Sequence, residues 1–157
     1  MVNRSMLFAA ILMLATPLAA KSPQDLMFPD RTSCYARSYS ASHLANHPGQ
    51  RVTQIAIRSD FDAPGPFLTL KLTLVLRRVQ GEAFQAHAAC ENEGGDTLFC
   101  LLEGDAGGFQ ITPARHGAIL IEVSSLGMTL ENDRAFATLE ATTGDDRSFL
   151  LHPVACP

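Results

Sequence analysis

The stretch Cys90-Glu-Asn-Glu-Gly-Gly-Asp-Thr-Leu-Phe-Cys-Leu-Leu-Glu-Gly-Asp-Ala-Gly-Gly-Phe-Gln110 contains two cysteines, two Gly-Gly pairs and an apolar run between them. Short apolar runs bounded by glycine-rich turns are typical of antiparallel strands joined by tight loops. We interpret the stretch as a disulfide-linked β-meander at the centre of the fold. It predicts an architecture, and it contains no signature of a reaction.

The register of this hairpin follows from its cysteines. If Cys90 lies directly opposite Cys100, Gly95 is at the centre of the loop, which then has an odd number of residues. A two-residue Gly94-Gly95 turn would instead place Phe99 opposite Cys90 and put the two sulfurs on opposite faces. We therefore predict a longer odd loop, of three or five residues, with a glycine at positive φ.

The four cysteines allow three disulfide pairings. We favour Cys90–Cys100, which closes a short hairpin, and Cys34–Cys156, which joins the start of the domain to its end. The alternative is a metal–thiolate site, but the sequence has no Cys-x-x-Cys, and His87 and Cys90 would point to opposite faces of a strand. Disulfides predict an oxidising compartment.

The N-terminus is typical of a Sec-type signal peptide. Arg4 precedes the apolar run Leu7–Ala15, and small residues follow up to Ala20. We expect residues 1–20 to be a signal peptide, 21–33 a loosely held lead-in, and 34–157 a single disulfide-stapled β-domain. No integral membrane segment is expected after signal removal, and the predicted localisation is periplasmic or secreted.

Composition narrows the function classes. Of 157 residues, 46% are hydrophobic and 18% are charged, which fits one globular domain. The chain has 12 Lys and Arg against 16 Asp and Glu, and Arg4 belongs to the leader. The remaining net charge of about −5 and the lack of a basic stripe argue against nucleic acid as a partner.

Alternating residues dominate the chain after Arg51. The clearest strand is Phe67–Arg77, whose leucines at 68, 70, 72, 74 and 76 share one face. About eight strands separated by turns predict an all-β fold, either an antiparallel meander barrel (calycin-like) or a sandwich. We expect a turn at Ser124–Gly127, and one short N-terminal helix over Ser40–His47, ended by Pro48.

The first candidate site follows Cys34. Tyr35, Arg37 and Tyr39 run into His43, and an arginine beside a tyrosine can bind a carboxylate or phosphate through charge-assisted hydrogen bonds. The alternative is that the tyrosines cover one end of the barrel while Arg37 pairs with an acid. His43 and His47 are four residues apart on the predicted helix and are weak metal candidates; a cap and surface contact is the other interpretation.

The second candidate is a surface for a protein partner. Five carboxylates fall within the opening stretch with no Lys or Arg among them, namely Glu91, Glu93, Asp96, Glu103 and Asp105. They are interpreted as solvated turns, as a surface for a basic protein, or as Ca²⁺ ligands, although no EF-hand pattern is present.

Catalysis is not indicated, because the histidines are scattered, no Gly-x-Ser-x-Gly elbow occurs and all cysteines are assigned to disulfides. We expect no enzyme activity and no cofactor.

The inward-facing Ala86 and Ala88 either allow close packing or leave a cavity. A carrier of a small molecule would need a closed apolar cavity between residues on several strands, here Leu70, Leu72, Phe84 and Ile119.

The motifs Cys34-Tyr-Ala-Arg-Ser-Tyr39, His43-Leu-Ala-Asn-His-Pro48 and Gly107-Gly-Phe109, with the four cysteines, resemble uncharacterised small exported bacterial proteins. This resemblance covers most of the mature chain and implies no activity. A looser resemblance is to periplasmic lysozyme inhibitors, although their Ser-Gly-x-x-Tyr type loop is absent. The sequence thus predicts an exported binding protein for a small molecule or a periplasmic protein. The alternatives are an inhibitor of a basic enzyme such as lysozyme and a metal protein using His43 and His47.

Overall fold

The computed structural model describes residues 21–60, 67–79 and 83–156. The predicted signal peptide, residues 1–20, lies outside them. The helices are α1 (Pro23–Met27) and α2 (Ala41–Asn46), and a 3-10 turn spans Arg115–Gly117. The strands are β1 (Cys34–Ser38), β2 (Val52–Ser59), β3 (Leu68–Leu76), β4 (Phe84–Asn92), β5 (Leu98–Leu102), β6 (Gly107–Pro113), β7 (Ile119–Glu131), β8 (Phe136–Leu139) and β9 (Ser148–Val154).

The strands form a closed antiparallel barrel, so the barrel prediction is confirmed over the sandwich. Strands β1 to β6 each pair with the next in sequence, β6 pairs with β7, and β9 lies between β7 and β1. Eight strands close the barrel. The extra strand, β8, pairs with the second half of β7. Closure joins the two ends of the sheet, because β9 pairs with both β1 and β7.

The barrel interior is filled by the alternating side chains. The five leucines of β3 are between 0% and 5% exposed, as the period of two predicts. They join one continuous core with the four phenylalanines at 28, 84, 109 and 149, each at most 1% exposed. In so tightly packed a setting, truncation of Leu72 to alanine costs about 2–5 kcal/mol.

The hairpin between β4 and β5 has the predicted register. Cys90 lies opposite Cys100 and Asn92 opposite Leu98, so the loop has five residues centred on Gly95. Gly94 and Gly95 have φ of 124° and 63°. Both favoured disulfides are present, Cys90–Cys100 and Cys34–Cys156.

Helix α2 also forms where predicted. The Ser40 hydroxyl accepts a hydrogen bond from the backbone N–H of His43 at 3.2 Å, which caps the N-terminus, and His47 is the C-cap. Arg77 directly follows β3. Its guanidinium donates to the carbonyl oxygens of Leu44 and His47 and so satisfies two acceptors at the C-terminal end of α2. No helix in the described ranges is long and apolar enough to span a bilayer.

The N-terminal lead-in differs from the expectation of a loose segment. Residues 21–33 contain α1, capped by Ser22, whose hydroxyl accepts from the N–H of Asp25. Met27 and Phe28 are 2% and 1% exposed and belong to the core. The polar residues and prolines of the segment predicted a loose lead-in, but these two apolar residues anchor it to the barrel.

The turn expected at Ser124–Gly127 is wrong. These residues are part of β7, which is one continuous strand of 13 residues. Opposite it, the pairing jumps from Val123–Phe109 to Met128–Gly107, so this segment is a bulge in the strand. Gly107 is required here, because a Cβ on it would lie 2.0 Å from the carbonyl oxygen of Gly127.

Candidate functional site

A cleft lies between β4, the β5–β6 turn and the β7–β8 hairpin, and we call it the β4–β8 groove. Its volume is about 490 Å³. It is lined by Gln85, Ala86, His87, Leu102, Glu103, Asp105, Ala106, Thr129, Leu130, Glu131 and Phe136.

The floor of the groove is apolar. Ala86 lies opposite Leu72 on the inner face of the sheet, and it lines the groove together with Leu102 and Leu130. Of the two inward alanines, Ala88 is packed at 1% exposed, while Ala86 borders this cleft. At the rim, Phe136 is 76% exposed, so its ring is accessible to a ligand.

The rim of the groove is acidic. Glu103, Asp105 and Glu131 are exposed carboxylates, and none of the described lining residues is a lysine or arginine. The remaining titratable group, His87, has its Nε2 3.5 Å from Oδ2 of Asp60. Three carboxylates that form no ion pair with another described residue, over an apolar floor, favour a ligand that is cationic and partly apolar.

Two of the five predicted carboxylates line the groove. Glu103 and Asp105 line the groove, whereas Glu91, Glu93 and Asp96 are exposed on the β4–β5 hairpin outside it. The sequence missed Gln85, His87, Thr129, Glu131 and Phe136, which come from distant strands. The period of two in β8 could have identified Phe136. Ala137 and Leu139 face inward, so the aromatic ring of Phe136 lies on the outer face.

One wall of the groove contains a strand edge. Strand β4 pairs with β3 along Phe84–Cys90, but β5 joins its other side only from Ala88 to Asn92. The segment Phe84–His87 thus has a paired strand on one side and the groove on the other. A free edge of this kind can pair with an extended segment of a partner through main-chain hydrogen bonds.

The four residues of the first candidate site, Tyr35, Arg37, Tyr39 and His43, do not share one environment in the structure. Tyr35 is 8% exposed, and its hydroxyl donates to the carbonyl oxygen of Met27 at 2.5 Å. Its ring packs edge-on against Phe28, with centroids 5.4 Å apart. Burial raises the pKa of Tyr35 above its usual value of 10.0. Tyr35 therefore holds α1 against the barrel.

The other three members form a stack with His47. The guanidinium carbon of Arg37 is 5.4 Å from the Tyr39 ring centroid, Tyr39 is 4.9 Å from the His43 ring, and His43 is 4.1 Å from the His47 ring. An Arg37 Nη1–H also donates to Nε2 of His152 at 3.1 Å. No carboxylate of the described residues lies within 4.0 Å of Arg37, so none of them forms the acid pair that was the alternative for Arg37.

Both helix imidazoles already have partners. The His43 Nε2–H donates to Oε1 of Gln50 at 2.9 Å, and the His47 Nδ1–H donates to the carbonyl oxygen of His43 at 2.9 Å. The parallel stacking of the two rings, with an interplanar angle of 15°, does not aim two nitrogens at one point. Residues 21–60, 67–79 and 83–156 contain no group of three potential metal ligands. The interpretation of these residues as a cap and surface contact fits the geometry better than a metal site.

Asp146 organises the neighbouring turn. Its side chain is 4% exposed and accepts from the backbone N–H groups of Arg51 (2.8 Å) and Val52 (3.0 Å), while Arg51 Nε lies 3.4 Å away. Burial and the negative charge of Asp146 raise the pKa of Tyr39, and Arg37 opposes them. The charge of Asp146 thus acts on the stack through Tyr39.

Comparisons with known protein families, with curated proteins and with solved structures found no match for this chain.

Proposed function

We propose that the chain is an exported, non-catalytic binding protein whose ligand is a basic, extended segment of another protein, held in the β4–β8 groove. The observation that carries the proposal is the acidic rim of Glu103, Asp105 and Glu131 around an apolar floor. The carboxylates attract and orient cationic side chains, and the floor and Phe136 supply the apolar contact.

The packing of the barrel favours this outer site over a ligand inside the barrel. Leu70, Leu72, Phe84 and Ile119, the expected walls of an internal cavity, are each at most 1% exposed and belong to the continuous core. The described clefts are lined mainly by outer-face and end residues. A protein partner therefore fits the geometry better than a small molecule carried in the interior.

Two further features support the proposal. Both disulfides fit an oxidising compartment, in agreement with the expected signal peptide. The composition of the groove supports a non-catalytic role: the imidazole of His87 contacts Asp60, and the other lining side chains that titrate are exposed carboxylates. Such a set binds cations and positions no nucleophile beside a base.

Isothermal titration calorimetry of the disulfide-bonded protein tests this proposal with two synthetic peptides, Lys-Lys-Leu-Lys-Lys and Glu-Glu-Leu-Glu-Glu. We expect the cationic peptide to bind, more weakly as salt rises, and the anionic peptide not to bind. Equal heats for both peptides, or no heat for the cationic one, would contradict it.

A periplasmic inhibitor of a basic enzyme such as lysozyme is a narrower form of this proposal, favoured by the same three carboxylates. Its test is the lytic activity of a basic lysozyme mixed with the protein. Inhibition that is lost when the groove carboxylates are neutralised would support the inhibitor function. Unchanged lytic activity would contradict the inhibitor function but not the broader binding proposal.

A further inference from the structure

Two cations lie side by side on the outer face of the barrel. Arg58 of β2 is directly opposite Lys71 of β3, and Lys71 is directly opposite His87 of β4. Directly opposed residues on antiparallel strands have adjacent side chains on the same face, and like charges in these positions are destabilising. The sequence did not point to this pair, because the two residues are 13 positions apart on different strands.

Nothing described in the chain compensates this pair. Among residues 21–60, 67–79 and 83–156, no carboxylate lies within 4.0 Å of Arg58 or Lys71. The nearby carboxylate of Asp60 contacts His87 instead, at 3.5 Å. An unpaired cationic pair that lowers stability indicates a function for the two charges together.

A cleft begins at the cation pair. It has a volume of about 250 Å³ and extends from Arg58 and Lys71 across Ala56 and Thr73 towards Val154. Ala36 lies opposite Ala56, and these two small side chains form the floor between longer neighbours. Val154, 43% exposed, provides an apolar wall at the other end. The cleft thus has a cationic end and an apolar end.

We propose that this cleft binds a small amphipathic acid, with its oxyanion between Arg58 and Lys71 and its apolar part over Ala36 and Ala56. A guanidinium donates two parallel hydrogen bonds to a carboxylate or phosphate, and the adjacent ammonium adds a point charge. The cleft is slightly smaller than the roughly 300–1,000 Å³ typical of sites for drug-sized ligands, so the ligand is small. This site is separate from the β4–β8 groove and does not depend on the function proposed for it.

The test is a titration of the intact, disulfide-bonded protein followed by NMR, with hexanoate, hexyl phosphate and inorganic phosphate as probes. We expect the two hexyl compounds to shift the amide signals around Ala36, Ala56 and Thr73, and inorganic phosphate to bind at least about tenfold more weakly because it lacks the apolar part. The stronger of hexanoate and hexyl phosphate identifies the preferred head group. Equal binding of all three probes, or no shifts at these amides, would overturn the proposal.

Variants separate a binding site from a merely charged surface. Lys71→Gln should weaken binding about tenfold or more and, because it removes the like-charge pair, raise the melting temperature of the ligand-free protein. Ala56→Leu should fill the cleft and weaken hexanoate binding without changing the charge. Arg115→Gln, at the exposed 3-10 turn, is the matched control and should leave binding unchanged. Equal weakening by Arg115→Gln and Lys71→Gln, or a lower melting temperature for Lys71→Gln, would contradict the proposal.

Discussion

Cys90 and Cys100 lie directly opposite each other on β4 and β5, with their Cα atoms 4.0 Å apart. This relationship requires an odd number of residues in the loop between the strands, because shifting the register by one residue turns a side chain to the other face. The observed five-residue loop meets the requirement.

Deletion of Gly94 alone should therefore prevent this disulfide. A four-residue loop cannot keep Cys90 opposite Cys100 without a bulge elsewhere, so we expect two titratable thiols under denaturing conditions. The control is the deletion of both Glu93 and Gly94, which leaves an odd loop of three residues and should retain the disulfide. Retention of the disulfide in the single deletion would show that loop parity does not set the register.

Asp146 should stabilise the fold more than its exposed neighbour. Asp146→Ala leaves the buried N–H of Val52 without its acceptor, and we expect the free energy of unfolding to fall by about 1–3 kcal/mol. The ion pair with Arg51 adds little, since the Arg51 side chain is 46% exposed.

Urea unfolding followed by circular dichroism measures this loss. Asp145→Ala is the matched control, because Asp145 also accepts a backbone N–H, from Gly49, but at an exposed position. Its cost should be about 0.5 kcal/mol. Equal costs for the two variants would refute the special role of Asp146.

Both tyrosines should ionise at unusually high pH. The chain has two tyrosines and no tryptophan, so absorbance near 295 nm reports on Tyr35 and Tyr39 alone. Burial is the leading cause that raises the pKa of each above 10.0. The unfolded chain ionises first, so their contribution to stability is complete below pH 10 and is lost as pH rises through the folded-state pKa values.

An alkaline titration of the native protein should therefore show the midpoints of both tyrosines above the midpoint of the unfolded protein, which is about pH 10. The protein in concentrated denaturant is the reference, and Tyr39→Phe assigns the two steps. A native tyrosine that titrates together with the unfolded reference would contradict the burial of that ring.

The regular strands were predictable from the sequence, since the side-chain period of two in β3 depends only on which face is buried. The cap of α2 by Ser40 and the hairpin register were predictable for similar local reasons. The bulge in β7 was not, because a Ser-Ser-Leu-Gly segment is equally compatible with a turn, and only the pairing with β6 decides between them.

The site was less predictable than the fold. Glu103 and Asp105 are within the acidic stretch, but Glu131 and Phe136 reach the same groove only through the closure of the barrel. Likewise, Asp146 accepts from residues about a hundred positions earlier, and no local pattern encodes that contact. Contacts between distant segments depend on the register of every intervening strand, which a single sequence does not specify.

The most direct test of the binding proposal compares two triple variants of equal charge change. One neutralises the groove (Glu103→Gln, Asp105→Asn, Glu131→Gln), and the other neutralises the β4–β5 hairpin (Glu91→Gln, Glu93→Gln, Asp96→Asn). Calorimetric affinity for Lys-Lys-Leu-Lys-Lys should fall about tenfold or more in the groove variant and no more than about twofold in the hairpin variant. An equal fall in both variants, or a larger fall in the hairpin variant, would contradict the assignment of the β4–β8 groove as the binding site.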